Sequence, residues 1–188
     1  MTGKSQRQKN ARILRVFRKV HRITGIITFF FFFLIAGTGL LLGWKKHSGG
    51  LILAKSFEGT STDTKDWLPI DSLKNRAFQI LRDSVSPDVS TELDRIDIRP
   101  DKGMAKFVFL EKYLALQLDC STGALLHLER RRADFLENIH DGSILDKYLK
   151  TSNGQIKLSY TTIMGLALLI FTITGFWLWY GPKWMRHH

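Results

Sequence analysis

The fold of this chain depends first on RKVHRITGIITFFFFFLIAGTGLLLGWKKH, residues 18–47. Residues 23–44 contain no charged side chain. At about 1.5 Å of rise per residue, a helix over this run reaches roughly 33 Å, enough to cross the hydrocarbon core of a bilayer. A second uncharged run, residues 158–180, has the same reach. The sequence therefore predicts two transmembrane helices.

Two alternatives to a membrane anchor fit the first run less well. An apolar helix in the core of a soluble protein shows a polar stripe with a period near 3.6 residues, and residues 29–34 have none. A cleaved signal peptide has an apolar region of about 7 to 15 residues before a small-residue cleavage site. This run is longer and is followed by Gly-Trp-Lys-Lys-His. We therefore predict an uncleaved anchor.

The formal net charge of +11 is concentrated at the two ends of the chain. Residues 1–22 carry eight basic and no acidic side chains, residues 181–188 carry two basic ones, and residues 45–157 have a net charge of +1. The positive-inside rule then predicts a bacterial inner-membrane protein with cytoplasmic termini and a periplasmic middle region. Anionic lipids of the inner leaflet would bind the first segment. A nearly neutral middle region excludes nucleic acid as a partner.

The middle region has the pattern of one small α+β domain. Helical spacing of apolar residues predicts an amphipathic helix that is capped by Asp71 or Ser72 and ends between Ser84 and Pro87. Alternating residues then predict two hairpins, with turns at residues 100–103 and 119–123. The predicted fold class is membrane α+β: two transmembrane helices flank one small periplasmic domain, in which a helix packs on an antiparallel sheet.

These signals divide the chain into seven segments. They are a basic, amphipathic cytoplasmic or juxtamembrane segment (1–22), transmembrane helix 1 (23–44), a linker (45–62), the periplasmic domain (63–133), a periplasmic connector (134–157), transmembrane helix 2 (158–180) and a cytoplasmic tail (181–188). Cys120 is the only cysteine, so the chain forms no internal disulfide.

Glycine and aromatic residues in the spans indicate how the helices pack and where the membrane ends. The glycines predicted to allow close helix contact are Gly25, Gly39, Gly43, Gly165 and Gly175. The side chains predicted to lie at the membrane interface are Trp44, Tyr160, Trp177, Trp179, Tyr180 and Trp184. Thr38-Gly39 recurs as Thr174-Gly175. Either ordinary packing or space for a flat cofactor would explain these pairs.

Three groups of short motifs occur in a definite order along the chain. HRITG (21–25) enters a span that contains TGLL (38–41), DCSTGALL (119–126) joins two strands, and IHDG (139–142) precedes a span that contains TGFWLW (174–179). In this order they resemble the PepSY domain and the PepSY-associated transmembrane proteins. The resemblance makes the periplasmic domain PepSY-like and extends over most of residues 18–182.

The resemblance implies a relation to bacterial ferric-siderophore reductases, whose membrane helices hold b-type haems through histidines. Carried over residue by residue, it makes His21 and His140 candidate haem ligands, and His47 is a third candidate. His21 and His140 are predicted at opposite faces of the membrane, so they cannot share one iron within a monomer. Same-side pairs remain open, within one chain or across a dimer: His47 with His140, and His21 with His187 or His188.

The predicted function is that of an accessory haem-binding electron-transfer component of ferric-siderophore reduction and uptake, acting as a homodimer or in a larger membrane complex. The sequence has no flavin, nicotinamide or metal-binding motif, so we assign no catalytic residue and no metal site. The alternative is a non-enzymatic, membrane-anchored periplasmic module that docks a transporter, a peptidase or an envelope partner through the edges of its sheet.

Overall fold

The computed structural model describes the backbone of residues 2–187 and the side chains of residues 8–151 and 153–185. The chain forms two compact units. We call them the helix-pair unit, made of the residues up to 40 and from 137 onward, and the sheet unit, made of residues 41–136.

The regular elements alternate between helices and one sheet. In chain order they are α1 (Thr2–Gly43), α2 (Ile70–Ser84), β1 (Leu93–Arg99), β2 (Met104–Phe109), β3 (Leu114–Asp119), β4 (Leu125–Arg130), α3 (Arg132–His140), α4 (Ser143–Leu149) and α5 (Gln155–His187). Short 3₁₀ helices lie at Lys45–His47, Thr64–Asp66, Pro100–Lys102 and Ser152–Gly154.

Helices α1 and α5 dominate the helix-pair unit, and both are long and apolar enough to cross a membrane. In the most apolar 18-residue stretch of each helix, only 11% of α1 and 6% of α5 is buried inside the chain. The core helix of a soluble protein is mostly buried. The helices pack antiparallel, because Phe17 contacts Trp177 near one end and Phe31 contacts Tyr160 near the other. The predicted spans lie in these two helices.

The sheet unit is an antiparallel four-stranded meander in the order β1-β2-β3-β4. Helix α2 covers one face of this sheet. Its residues Leu73, Ala77 and Leu81 repeat every four positions and are at most 2% exposed. They belong to one core cluster with Phe107 and Leu116. This arrangement confirms the predicted α+β class, in which a helix packs on an antiparallel sheet.

The segment predicted as a linker, residues 45–62, instead packs on the sheet. Gln117, in the middle of β3, is 1% exposed and needs partners for its amide. Its Oε1 accepts from the amide of Phe57 (3.0 Å), and its Nε2 donates to the carbonyl oxygen of Lys55 (2.9 Å). The amide of Gly59 donates to the carbonyl oxygen of Lys102 (2.8 Å). These hydrogen bonds make the segment part of the sheet unit.

Asp119 ends strand β3 and joins this segment to the β3–β4 turn. Its carboxylate accepts hydrogen bonds from the hydroxyl of Thr60, the amide of Ser121 (2.9 Å) and the hydroxyl of Thr122 (2.8 Å). Burial alone would raise the pKa of Asp119, but these hydrogen bonds outweigh it and lower the pKa from 3.8 to about 2.

We expect Asp119→Asn to destabilise the protein by about 2 kcal/mol, because the neutral amide loses the charge-assisted hydrogen bonds. In the unsubstituted protein this contribution is fully present above the ordinary pKa of 3.8 and is lost as the pH falls through about 2. Thermal unfolding of the full chain in detergent, followed by circular dichroism at pH 7 and at pH 3, measures both effects. Asp101→Asn, at an exposed turn, is the matched control. An equal loss of stability in both variants would contradict the prediction.

Candidate functional site

The Ile-His-Asp-Gly motif fixes the end of α3 against the start of α5. One oxygen of Asp141 accepts from the amide (2.9 Å) and the hydroxyl (2.6 Å) of Ser143, and the other pairs with Lys157 of α5 at 2.5 Å. Burial raises the pKa of Asp141, but the hydrogen bonds from Lys157 and Ser143 outweigh it, so the net shift is downward. Gly142 has a φ of +78° and lies against the ring of Tyr160, where a side chain has no room.

Asp146 adds a second link between the connector and α5. Its carboxylate accepts hydrogen bonds from the amides of Ile156 (3.0 Å) and Lys157 (2.7 Å) and from the hydroxyl of Thr151. These amides belong to the first turn of α5, where backbone N–H groups have no partner within the helix. Sequence analysis missed this role, because Asp146 lies too far before α5 to show a local capping pattern.

His140 lies on Thr38 and Gly39 of α1. Nδ1 of the imidazole is 3.0 Å from Oγ1 of Thr38, whose hydroxyl donates to the carbonyl oxygen of Leu34 at 2.6 Å. Cε1 of the ring would be 3.4 Å from a Cβ on Gly39. A Cβ at position 39 would just touch the ring, so the imidazole of His140 lies directly against α1.

His21 lies in the same way on Thr174 and Gly175 of α5. Nδ1 is 2.9 Å from Oγ1 of Thr174 and 3.2 Å from the carbonyl oxygen of Phe171. The hydroxyl of Thr174 donates to the carbonyl oxygen of Ile170 at 2.7 Å. Cε1 would be 3.2 Å from a Cβ on Gly175, and the imidazole stacks on the ring of Phe171 at 4.0 Å between centroids.

The two histidine sites therefore have the same construction at opposite ends of the helix pair. In each, an imidazole from one segment lies on a Thr-Gly pair of the opposing span. His21 and Thr38 are 17 positions apart on α1, which corresponds to about 26 Å along the helix. This separation prevents His21 and His140 from binding one iron within a chain.

An apolar groove of about 450 Å³ lies beside His21. Its lining residues are His21, Arg22, Gly25, Ile26, Phe29 and Phe171. Gly25 makes room there, since a Cβ at this position would be 3.0 Å from the ring of Phe171. Among the described residues, no hydrogen bond engages Nε2 of His21 or of His140. Each imidazole thus keeps one nitrogen available to a ligand.

Gly43 and Gly165 differ from the glycines of the two histidine sites, and the third candidate histidine, His47, belongs to the other compact unit. Among the described residues, a Cβ on Gly43 or Gly165 would meet no atom within 4 Å, so neither glycine packs against a neighbouring helix in that part of the chain. His47 belongs to a 3₁₀ helix of the sheet unit and has the ring of Trp44 6.4 Å away. His188 and the side chain of His187 lie outside the described residues.

The predicted aromatic residues form contacts at both ends of α5. Near its start, Tyr160 contacts Phe31 of α1. Near its end, Trp177 lies 5.6 Å from Phe17 of α1 and 6.4 Å from Trp184, and Tyr180 stacks on Phe176 at 5.7 Å. The ammonium of Lys183 lies 4.4 Å above the ring of Trp179. Within the part of the chain that the structure describes, no group of three or more His, Cys, Asp or Glu side chains could hold a metal ion.

One known protein family matches the sequence over almost the whole chain. The family model of the PepSY-associated TM region matches residues 18–187, which include both histidine sites and the sheet unit. The chain belongs to the PepSY-associated TM region family. This PepSY-associated protein is therefore a membrane protein with two spans, as the sequence predicts. No curated protein and no solved structure matches the chain.

Proposed function

We propose that this PepSY-associated protein is an accessory electron-transfer component of ferric-siderophore reduction and uptake, and that His21 and His140 bind haem b. The observation that carries the proposal is the repeated histidine site. At each end of the helix pair, an imidazole uses Nδ1 for a threonine and keeps Nε2 free of hydrogen bonds within the described residues.

The residue types around both histidines are those that hold a haem. Haem iron binds a neutral imidazole through one nitrogen, and the other nitrogen of such a ligand commonly makes a hydrogen bond that orients the ring. A glycine faces each ring, and the groove beside His21 has mostly apolar walls. When bound, haem supplies one-electron redox chemistry, while the side chains of this protein hold the ligand rings and exclude water.

The distance between the two sites favours an assembly with more than one chain. Each site offers one described imidazole, whereas a haem with two histidine ligands needs two at the same level. A homodimer or a larger membrane complex would supply the second imidazole from another copy. Gly37 and Gly165, which face no atom of the described residues within 4 Å, leave places on α1 and α5 where another helix can approach closely.

The charge distribution supports an orientation in the bacterial inner membrane with both termini in the cytoplasm. The basic start of α1 then lies next to anionic lipids of the inner leaflet, and the sheet unit lies in the periplasm. Alkaline phosphatase fused after Asp101 is expected to be active, because this enzyme folds only after export. Activity of a cytoplasmic reporter at the same position would overturn the orientation.

An absorption spectrum of the full chain tests the haem proposal. We expect protein purified in detergent from haem-supplied cells to show a Soret band that shifts on reduction, together with the sharp visible bands of reduced haem b. Folded protein without a Soret band would overturn the proposal. Circular dichroism of the same sample establishes that the protein is folded.

The structure also supplies one observation for the alternative, a membrane-anchored docking module. Strand β4 is an edge of the sheet, and a groove of about 490 Å³ runs beside it, lined by residues of the 49–54 segment and by residues 127–130 and Arg132. An extended peptide can bind at such an edge. Deletion of residues 63–133 with both spans kept separates the two functions. Loss of cellular function with an unchanged haem spectrum would favour docking.

A further inference from the structure

The hydrogen atoms in the two histidine sites can be assigned from the oxygen atoms around them. A threonine hydroxyl carries a single hydrogen, and a backbone carbonyl can only accept. Oγ1 of Thr38 lies 2.6 Å from the carbonyl oxygen of Leu34, so its hydrogen points to that carbonyl. The contact of 3.0 Å with His140 then requires Nδ1 to be the donor. His140 therefore carries its proton on Nδ1.

The same assignment holds for His21 with additional support. The hydroxyl of Thr174 donates to the carbonyl oxygen of Ile170 at 2.7 Å, which leaves Oγ1 to accept from His21 at 2.9 Å. Nδ1 also lies 3.2 Å from the carbonyl oxygen of Phe171, and this second acceptor likewise requires an N–H.

We propose that Thr38 and Thr174 are positioning residues that hold His140 and His21 in the Nδ1–H tautomer and so present the Nε2 lone pair as the ligand atom. The hydrogen on Nδ1 follows from the hydrogen bonds, the Nε2 lone pair belongs to the neutral ring, and its use for haem depends on the proposed function. The glycine that follows each threonine completes the site, because it lets the ring lie close enough to reach Oγ1.

A third buried threonine lacks the histidine and the glycine that Thr38 and Thr174 have beside them. Thr28 of α1 is 4% exposed, and its hydroxyl donates to the carbonyl oxygen of Thr24 at 2.7 Å. This hydrogen bond is the ordinary one of a threonine in a helix. Phe29 follows Thr28 in place of a glycine, and among the described residues no histidine bonds to Thr28. Thr28→Val is therefore a matched control for valine at positions 38 and 174.

Nuclear magnetic resonance measures the tautomers without any haem. The full chain is labelled with ¹⁵N-histidine, kept haem-free in detergent at pH 8, above the ordinary histidine pKa of about 6.5, and studied by long-range ¹H–¹⁵N correlation. His21→Ala and His140→Ala spectra assign the two rings. We expect the Nδ1–H pattern for both. An Nε2–H pattern for either ring in the unsubstituted protein would overturn the proposal for that site.

The valine variants test the cause of the tautomer. Thr38→Val should move His140 to an Nε2–H or mixed pattern and leave His21 unchanged, and Thr38→Ser should restore Nδ1–H. Thr174→Val should change His21 less, because the carbonyl of Phe171 remains as an acceptor. Thr28→Val should change neither ring. An unchanged His140 pattern in Thr38→Val, in protein with the unsubstituted circular dichroism spectrum, would overturn the positioning role.

Haem titration of the same variants separates this inference from the proposed function. We expect Thr38→Val to weaken haem binding at the His140 site by about 10-fold or more and to raise its midpoint potential, since an imidazole without the Nδ1–H hydrogen bond is a weaker base. Unsubstituted protein that shows both Nδ1–H tautomers but binds no haem would overturn the proposed function alone. Haem bound with equal affinity and potential in Thr38→Val and in unsubstituted protein would overturn the role of Thr38 in ligation.

Discussion

His21→Ala and His140→Ala are each expected to remove about half of the bound haem, and the double variant is expected to show no Soret band. The two rings lie about 26 Å apart along α1, so the loss of one leaves the other site intact. Alanine provides no ligand atom for iron, and its small side chain leaves the threonine beside it without its imidazole partner. Haem per chain, measured as the pyridine haemochrome of purified protein, gives both values.

Two other histidines make these variants interpretable. His127 lies in strand β4 of the sheet unit, where its ring contacts Phe57 at 5.0 Å between centroids, and His127→Ala should keep the full haem content. His47→Ala tests whether His47 pairs with His140 as the second ligand of one haem. A loss confined to the His140 site would identify His47 as its second ligand, and full content would favour an imidazole from another copy. Full haem content in both His21→Ala and His140→Ala would contradict the assignment of the ligands.

The parts of the fold that depend on local periodicity were predictable from the sequence. An uncharged run of spanning length has one main structural solution in a bilayer, so both membrane helices followed from counting. The spacing of Leu73, Ala77 and Leu81 likewise indicated the buried face of α2, and the turn signals at residues 100–103 and 119–123 indicated the two hairpins. Each of these signals lies within a short stretch of chain.

Segment 45–62 was not predictable in the same way, because its partners are distant in sequence. Its polar, glycine-rich composition is typical of a linker. Its hydrogen bonds go to Gln117 and Lys102, and Gly59 lies so close to the backbone of Gly103 that no side chain fits between them. A glutamine between Leu116 and Leu118 of a predicted strand is a weak local sign, because only the structure shows that Gln117 is buried and needs partners.

The candidate site also has a part that local sequence signals predicted and a part that depends on contacts between distant residues. The motif order drew attention to His21 and His140, and the Thr-Gly repeat was visible, but packing and cofactor binding explained the repeat equally well. The structure joins Nδ1 of each histidine to a threonine that is 102 or 153 positions away. Such pairs arise only when distant segments pack together, α5 on α1 for His21 and the end of α3 on α1 for His140, and a single sequence carries no record of which helix faces meet.

Gly142→Ala is expected to remove the haem at the His140 site and to abolish the Nδ1–H pattern of His140, while His21 keeps both. Gly142 has a φ of +78°, a conformation that costs an alanine about 1–2 kcal/mol. The added Cβ would also lie 2.8 Å from Cγ and Cδ1 of Tyr160, well inside normal contact distance. The turn must then move away from α5, and His140, two residues earlier, moves with it.

Gly154→Ala separates backbone strain from steric overlap. Gly154 has a φ of +61°, but its nearest neighbour for an added Cβ is Cβ of Lys157 at 4.0 Å. Gly154→Ala should therefore lower the stability of the protein through a similar backbone strain, without loss of haem. Tyr160→Ala combined with Gly142→Ala removes the overlap and should restore part of the haem at the His140 site. Equal haem content in Gly142→Ala and Gly154→Ala would show that the contact between Gly142 and Tyr160 does not position His140.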